Sequence, residues 1–462
     1  MTFDRVALID ENFQLPPEVK QAFLKSPEMI AGYVPSKDYK LERIEKFWQI
    51  ADGADWNKTL VRALSVCTPL GLGVVLSEIY SVATTATLQS KDAIFGYGCR
   101  TGLKALKDKP ITVLSAQGQT RIVLQNFLVD GGVTPDVTAK NYSRGIRFRD
   151  STNIFVDSLT VQNCADWALS FERCKRVVVT NHVHGGGGNG ASGGRDGIHF
   201  MDVTDVTVDG ATIFSGDDCV SLTSETLGNK RVRFLNIAGH SVIAAVVTVG
   251  NEGSTGFPSE DIYIANISTL KPAEIADGTE SKYVVKIRSQ NAALIKNLTI
   301  NGVVGTSDDY GLWLDAAVGS EMQDVTISNV DVTSLKKHGM YIHGVKGLNL
   351  KGKGKAKSGL FDGINLFQCS IAAIEAICTG SSNYGIQLNA CSMIDLNSCI
   401  MRDNGVFDSQ QGGGAVLTNS SGIVINGGFY GGDPATNYRS IRQIGTTDTI
   451  ISATTRRQSA NN

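Results

Sequence analysis

The sequence has little that would place the protein in a membrane or on nucleic acid. It contains no run of 18 or more apolar residues, so no membrane-spanning helix is predicted. The formal net charge is only −2, which gives no bulk attraction to nucleic acid or to anionic lipid. The first twenty residues lack a basic segment followed by an apolar one, so they do not predict a secretion signal.

Charged residues and paired cysteines are also scarce. Charged residues make up 19% of the chain while glycine reaches 50 of 462, a combination that favours a turn-rich β protein over a helical one. The nine cysteines include no C-x-x-C pair, so a zinc site of that kind is not expected. We predict that most cysteines are reduced, small buried residues, and that the protein uses neither a metal ion nor another cofactor.

Short apolar strands recur along most of the chain. From about residue 145 they open at intervals of mostly 22 to 30 residues, with one longer gap, and read GIRF, WALSF, DGIHF, DCVSL, AVVTV, VVKI, GLWL, GMYI, GINL and GIQL. Apolar and polar residues alternate within each strand, so only one face is apolar, and each repeat must stack on its neighbours to close a core. The pattern predicts an all-β protein, a right-handed single-stranded parallel β-helix with a short helical N-terminal arm or cap.

The composition along the chain suggests three regions. Residues 1–50 are charged and show possible short helices, and we interpret them as an N-terminal arm or neck. Residues 51–435 are predicted to form the β-helix, with a capping helix at about 55–66. Residues 436–462 are predicted to be a C-terminal tail.

Three aspartates stand out where two neighbouring repeats begin. Asp196 lies two residues before Ile198, and Asp218 lies two residues before Val220, so their offset of 22 residues is one coil. Equivalent positions on adjacent parallel strands are about 4.8 Å apart. Asp217 adds a third carboxylate, and such a cluster should raise the pKa of at least one member. One residue type would then supply both an acid and a base.

This segment resembles the polygalacturonase family of glycoside hydrolases, over about residues 140–305. The G-D-D motif of that family is intact as Gly216-Asp217-Asp218, whereas N-T-D keeps only Asp196. The resemblance implies a pectin-lyase fold with Asp217 as the general acid. Asp196 and Asp218 would activate a water molecule for inverting hydrolysis, which calls for a wide separation between the carboxyl groups.

Other candidate substrate-binding residues depart from the family pattern. The coil position where the family carries histidine is Ala245, and His240 comes about five residues too early. Trp167, one coil before Asp196, is either a sugar platform or surface packing. Glu252 is a secondary candidate in a turn beyond the site.

The basic pair of the family appears in reversed order as Lys286-Ile287-Arg288. Both basic side chains fall on one face of a strand. In the family such a pair holds a sugar carboxylate, and an ordinary solvated strand edge is the alternative explanation.

Three functions remain open from the sequence alone. The first is a depolymerase that hydrolyses a bacterial capsular or exopolysaccharide, which is possibly acidic. The second is a polysaccharide lyase on the same fold, and the third is a non-catalytic glycan-binding spike. The β-helix with an N-terminal arm resembles a bacteriophage tailspike, which implies a homotrimer attached to the phage tail or baseplate through the arm, carried on the virion and acting at the bacterial surface.

Overall fold

The protein is a parallel β-helix. The computed structural model describes residues 40–107, 111–133, 144–185, 195–251, 256–271, 280–357, 361–405, 413–432, 439–452 and 456–457. Numbered along the chain as β1 to β35, the strands form two sheets in which the paired strands run parallel, as the alternating repeats predict.

The larger sheet, called sheet A here, has 21 strands among the described residues. They are β1 Lys40–Arg43, β2 Leu72–Val75, β3 Ile79–Val82, β5 Ala93–Ala105, β7 Thr120–Asp130, β9 Thr152–Asp157, β10 Thr160–Gln162, β12 Lys175–Gly185, β14 Thr204–Ser215, β16 Asn229–Ser241, β18 Ser259–Thr269, β20 Leu294–Ser307, β22 Glu321–Ser334, β24 Val345–Ala356, β26 Ser370–Thr379, β28 Ser392–Asn397, β29 Ile400–Asn404, β31 Ser421–Asn426, β32 Phe429–Gly432, β34 Thr447–Ile451 and β35 Arg456–Arg457.

The smaller sheet, sheet B, has 14 strands in the part of the chain that the structure describes. They are β4 Ala86–Thr87, β6 Thr112–Gln117, β8 Arg144–Arg149, β11 Leu169–Glu172, β13 Ile198–Met201, β15 Val220–Ser224, β17 Ala245–Asn251, β19 Tyr283–Ser289, β21 Tyr310–Ala316, β23 Met340–His343, β25 Ile364–Phe367, β27 Tyr384–Asn389, β30 Gly413–Thr418 and β33 Arg439–Ile444.

Sheet B stacks in a register that places the same repeat position on top of itself. Ile198 of β13 lies opposite Val220 of β15, which lies opposite Val247 of β17, and these residues fill the core. The core also contains a stack of phenylalanines, in which Phe148 and Phe171 have ring centroids 5.2 Å apart. Buried apolar columns of this kind fix the register, because a slip by one residue would turn every apolar side chain outward.

Left-handed turns at fixed positions bend each coil. One register position near the start of successive sheet A strands has a positive φ, near 55° in most cases, and is occupied mostly by Asn, Asp, Arg or Gly. Short polar residues and glycine tolerate this conformation, which partly explains the high glycine content. Ile371 (φ 55°) and Met393 (φ 54°) occupy the same position and are unusual there, and both are exposed.

One amphipathic helix, α1, spans Trp56–Cys67, close to the capping helix predicted at about 55–66. Its apolar side chains Leu60, Ala63 and Leu64 are buried in the same core cluster as the first strands. Short 3-10 helices cover Ile44–Phe47, Ile50–Asp52 and Thr68–Leu70.

Strand pairing extends beyond the predicted boundary at residue 435. β33 pairs with β30, and β34 pairs with β31, so the described parts of the predicted tail add further rungs to the β-helix. Residues 1–39 of the predicted arm lie outside the described residues. All nine cysteines are free, and all but Cys99 are buried. In the part of the chain that the structure describes, no helix is long and apolar enough to cross a membrane.

Candidate active site

Three carboxylates meet at the entry of adjacent sheet B strands. Because β13 stacks on β15 with Ile198 opposite Val220, Asp196 comes to lie beside Asp218, and Asp217 joins them from the turn before β15. Each of the three offers an oxygen atom, and these atoms all lie within 4.8 Å of one another. The one-coil offset in the sequence therefore correctly predicted the proximity of these side chains.

Asp218 is anchored in this cluster by two hydrogen bonds. Its Oδ1 accepts hydrogen bonds from the backbone N–H of Ala245, at 3.0 Å, and from the hydroxyl of Thr248, at 2.6 Å. Burial and the neighbouring charge of Asp196 raise the pKa of Asp218 to about 7, against the opposing effect of Thr248. The cluster thus contains a carboxyl group that keeps its proton in mildly acid solution, as expected for close carboxylates.

Asp196 is oriented by a histidine that the sequence analysis overlooked. Nδ1 of His199 lies 2.6 Å from Oδ2 of Asp196, and Nε2 lies 3.0 Å from the hydroxyl of Thr223. Because a carboxylate only accepts, Nδ1 donates to Asp196 and Nε2 can accept from Thr223. A signal was present in the sequence: His199 falls between the core residues Ile198 and Phe200, so it must point to the same outer side as the site.

Trp167 supports His199 instead of offering an open platform. The two rings are nearly parallel, with centroids 3.6 Å apart and an interplanar angle of 4°. The guanidinium of Arg144, from the preceding coil, lies 4.3 Å from the centroid of the same indole. Since Arg144 and His199 come from the coils on either side, both faces of the indole are covered. Of the two sequence interpretations of Trp167, packing therefore fits the geometry better than a sugar platform.

Ion pairs hold this stack in place. Arg144 contacts Asp166 at 2.6 Å and Glu172 at 2.8 Å, and Arg147 contacts Glu172 at 2.7 Å. Burial raises the pKa of Glu172, but the hydrogen bonds and charges of the two arginines outweigh it and the net pKa is lowered. Glu172 therefore remains charged, and Arg144 is fixed over Trp167.

His240 does not join the carboxylates. It lies on β16 in sheet A, opposite Phe214 of β14, and is buried. Burial lowers its pKa, and the charged groups that influence it are Glu280, Lys271 and Asp308. The prediction that His240 binds substrate at this site is not supported, because the five-residue displacement in sequence moves it from sheet B into sheet A. Ala245 occupies the coil position after Asp218, as predicted.

The two basic residues lie at different distances from the cluster. Lys286 faces outward on β19, opposite Thr248 of β17, and its charge lowers the pKa of Asp218. Arg288 lies two residues further along the strand, where its Nε is 3.5 Å from Oδ2 of Asp315. Of the two, Lys286 is therefore the one whose charge acts on the carboxylate cluster. Glu252 lies outside the described residues.

The sequence of this chain is similar to those of known glycoside hydrolases. Residues 83–255 match the family model described as glycosyl hydrolases family 28. "Polygalacturonase QRT2" of Arabidopsis thaliana is 22% identical over 305 residues, which are 59% of this chain and 64% of that protein. "Endopolygalacturonase AN8327" of Emericella nidulans is 22% identical over 242 residues, covering 50% and 59% of the two chains. The chain thus spans less than two thirds of the length of these relatives.

The fold comparison agrees with the family match. The crystal structure of a hyperthermoactive exopolygalacturonase from Thermotoga maritima is 11% identical, with a TM-score of 0.53 over 82% of this chain and 96% of that chain. At this identity the likeness shows the fold alone. Taken with the family match, which includes all three aspartates, it supports a polygalacturonase-like protein with the pectin-lyase fold.

Proposed function

We propose that this polygalacturonase-like protein is a depolymerase that hydrolyses the glycosidic bonds of a polysaccharide. The observation that carries the proposal is the cluster of Asp196, Asp217 and Asp218 on the outer face of the β-helix, within the segment that matches glycosyl hydrolases family 28. Glycoside hydrolysis needs one protonated and one ionised carboxyl group on rigid supports, and strands of a β-helix provide such supports.

In this proposal the three carboxylates have different roles in the reaction. Asp217 is the least buried member and protonates the leaving oxygen. Asp196 and Asp218 hold and activate the attacking water. A water molecule can donate to two oxygens that are up to 4.8 Å apart, because each hydrogen bond is about 2.8 Å long.

Inversion at the anomeric carbon is the stereochemical course in this proposal. Inverting enzymes usually separate their carboxyl groups by about 6.5–9.5 Å. The oxygens here lie within 4.8 Å, so the wide separation expected from the sequence is not found. The proposed acid Asp217 directly precedes Asp218, and the stacking of β13 on β15 keeps Asp218 one strand spacing from Asp196, so all three carboxyl groups lie close together. Inversion therefore rests on the family resemblance, and NMR of the anomeric proton in the first product tests it.

A second assignment of the acid is favoured by one observation. The pKa of Asp218 is raised to about 7, so Asp218 carries a proton under mildly acid conditions and would itself serve as an acid. The two assignments differ in the pH dependence of kcat. Replacement of the acid by asparagine removes the alkaline limb of the pH profile, whereas replacement of the base removes the acid limb.

The biological setting is proposed from the sequence resemblance. We propose a bacterial capsular or exopolysaccharide as substrate and a homotrimeric phage tailspike as the assembly. Light scattering after size-exclusion chromatography tests the trimer, and immunogold microscopy of virions tests the location. A monomer in solution would contradict the trimer without affecting the proposed chemistry.

Polymer size is the direct test of the proposed activity. Capsular and exopolysaccharides from candidate hosts, together with polygalacturonate, are incubated with wild-type protein and analysed by gel filtration. We expect depolymerisation by wild type, and a loss of about 100-fold or more in Asp217→Asn. Asp209→Asn, a change in the outer face of sheet A, is the matched control and should cut normally.

Other outcomes would contradict parts of the proposal. An Asp217→Asn protein as active as wild type would exclude this site. A product that absorbs in the near ultraviolet would show an unsaturated sugar and hence a lyase. Binding of a polymer without any loss of its size would indicate a non-catalytic glycan-binding protein.

A further inference from the structure

Aromatic side chains cover the outer face of sheet B in the coils that follow the carboxylates. We call Tyr283, Tyr310, Trp313, His338 and Tyr341 the aromatic cluster. Each is partly exposed, although together they carry a large apolar area. The core side of the same strands is filled by other residues, so these rings are not needed to close the core.

The rings of the aromatic cluster form a continuous surface over three coils. Tyr283 lies 5.3 Å from Trp313 and 6.0 Å from Tyr310, measured between ring centroids. Tyr310 in turn lies 6.2 Å from His338 and 5.7 Å from Tyr341. Because coils are about 4.8 Å apart, the rings span about 10 Å from β19 to β23, and the strand of Tyr341 lies about 19 Å from that of Asp218, a distance of several sugar units.

The polar atoms of these rings are available to a ligand. Within the part of the chain that the structure describes, neither the hydroxyls of Tyr283, Tyr310 and Tyr341 nor the indole N–H of Trp313 takes part in a hydrogen bond to the protein. Rings that combine apolar edges with free polar tips suit partners that are amphipathic themselves. A sugar ring is such a partner, since it presents C–H groups and hydroxyls side by side.

The charges around the aromatic cluster distinguish between types of polysaccharide. Arg288 is paired with Asp315 at 3.5 Å, and Lys337 is paired with Asp309 at 3.2 Å. Lys286 makes no ion pair among the described residues, and its ammonium lies over the rings of Tyr283 and Trp313. Lys286 is therefore a cation without an ion-pair partner among the described residues, on the strand of the aromatic cluster that lies nearest the carboxylates.

A homopolyuronate fits this arrangement poorly. It carries a carboxylate on every sugar, so several of its charges would approach Asp309 and Asp315 over a largely apolar surface. Desolvating unpaired charges there is costly. A polymer with one acidic sugar followed by neutral sugars meets Lys286 with its charge and the rings with its neutral units.

We propose that the aromatic cluster is an extended binding surface for neutral sugars, and that the substrate is a heteropolysaccharide whose acidic residue is held at Lys286. The inference rests on the proposed function for the position of the bond that is cut. Beyond the proposed function, the inference specifies the class of polymer that is bound and the side of the cleavage site on which most of the binding surface lies.

The test measures binding without cleavage. Asp217→Asn protein is applied to an array of purified bacterial capsular and exopolysaccharides that also carries polygalacturonate and neutral glucans. The affinity for the best-bound polymer is then measured for the same protein with Trp313→Ala or Tyr341→Ala. Tyr97→Ala is the matched control, since Tyr97 is a highly exposed tyrosine on β5 of the other sheet.

We expect the bound polymers to contain neutral sugars and at most one acidic sugar in a run of several. Trp313→Ala and Tyr341→Ala should each weaken binding about tenfold or more, and Tyr97→Ala should not. Lys286→Met should remove the preference for acidic over neutral polymers. Trp313→Phe keeps a ring, so its partial recovery of affinity separates lost contact from lost folding, which thermal melting of each variant also monitors.

Stronger binding to polygalacturonate than to every heteropolysaccharide would overturn the inference. Binding that is unchanged by both alanine substitutions, or no binding to any polymer, would overturn it as well. The failure of the proposed function is recognised separately. If Asp217→Asn protein binds through the aromatic cluster but wild type cuts none of the bound polymers, hydrolysis is excluded while the binding surface stands.

Discussion

Nδ1 of His199 donates a hydrogen bond to Oδ2 of Asp196 over 2.6 Å, and this contact ties a carboxylate that we propose to take part in the reaction to the body of the β-helix. The imidazole is itself held between Trp167 on one side and Thr223 along its edge. His199 therefore acts as a positioning residue for Asp196. It does not need to touch substrate in order to affect the reaction, since the orientation of Asp196 decides where the water molecule is held.

Replacement of His199 should lower the rate without abolishing substrate binding. We expect His199→Leu to reduce kcat by about 100-fold, because a misplacement of roughly 1 Å in a catalytic group has an effect of that size. His199→Asn keeps an N–H close to the position of Nδ1 and should recover part of the loss. Steady-state kinetics on a cleaved polymer measures both variants. An equal loss in the two, or a change in KM alone, would contradict the positioning role.

The raised pKa of Asp218 makes the stability of the protein depend on pH. A carboxyl group whose folded-state pKa lies near 7 binds its proton more tightly in the folded state than in the unfolded state. The free energy of unfolding therefore falls as pH rises from about 4 to about 7, by at most about 4 kcal/mol for a shift of about three units. The Asp218→Asn variant has no carboxyl group at this position, so its free energy of unfolding does not fall in this way as the pH rises. The melting temperature of the variant should exceed that of wild type at pH 8 and approach it near pH 4.

Asp362 offers a matched control for this prediction. It occupies the equivalent strand-entry position before β25, is fully buried, and has its pKa raised to about 7 by burial. Asp362→Asn should show the same pH-dependent gain in melting temperature while leaving the site carboxylates in place. A gain in Asp218→Asn that does not vary with pH would mean that Asp218 is already ionised in the folded protein at acid pH.

Some residues of this site could be predicted from the sequence and others could not. The difference is whether strand alternation and repeat spacing fix the position of the residue. Asp196 and Asp218 could be placed together because strand alternation fixes the face and the offset of 22 residues fixes the coil. His240 was misplaced because a G-H pattern does not reveal which sheet its strand joins. The sequence analysis did not identify Tyr283 and Tyr310 as neighbours, because loops of unequal length between repeats hide the coil position that the two residues share.

Removal of divalent metal ions is expected to leave activity unchanged. The oxygens of Asp196, Asp217 and Asp218 lie within 4.8 Å of one another, a spacing that a hard cation could also use. In the proposed mechanism these oxygens bind a water molecule and a proton, so a bound cation would compete with both. Activity after dialysis against EDTA, with and without added Ca²⁺ or Mg²⁺, measures this. A loss that either ion restores would replace acid–base catalysis by a metal-assisted reaction.

Ile371 is expected to destabilise the isolated chain through its backbone conformation. Its φ of 55° is unfavourable for a β-branched residue, and its side chain is 49% exposed, so little burial offsets the strain. The left-handed conformation costs a residue other than glycine about 1–2 kcal/mol. Ile371→Gly should therefore raise the free energy of unfolding by about 1 kcal/mol, after allowance for the flexibility of glycine in the unfolded chain.

Ile377 lies on the same strand, is also exposed, and is absent from the residues with positive φ. Ile377→Gly should consequently lower the free energy of unfolding by about 0.5–1 kcal/mol, the opposite of the effect at Ile371. Urea denaturation of both variants, with the oligomeric state checked by light scattering, measures the difference. If Ile371→Gly is instead destabilising and dissociates an oligomer, the exposed side chain is held in its strained conformation by contact between chains, and the strain has a function in assembly.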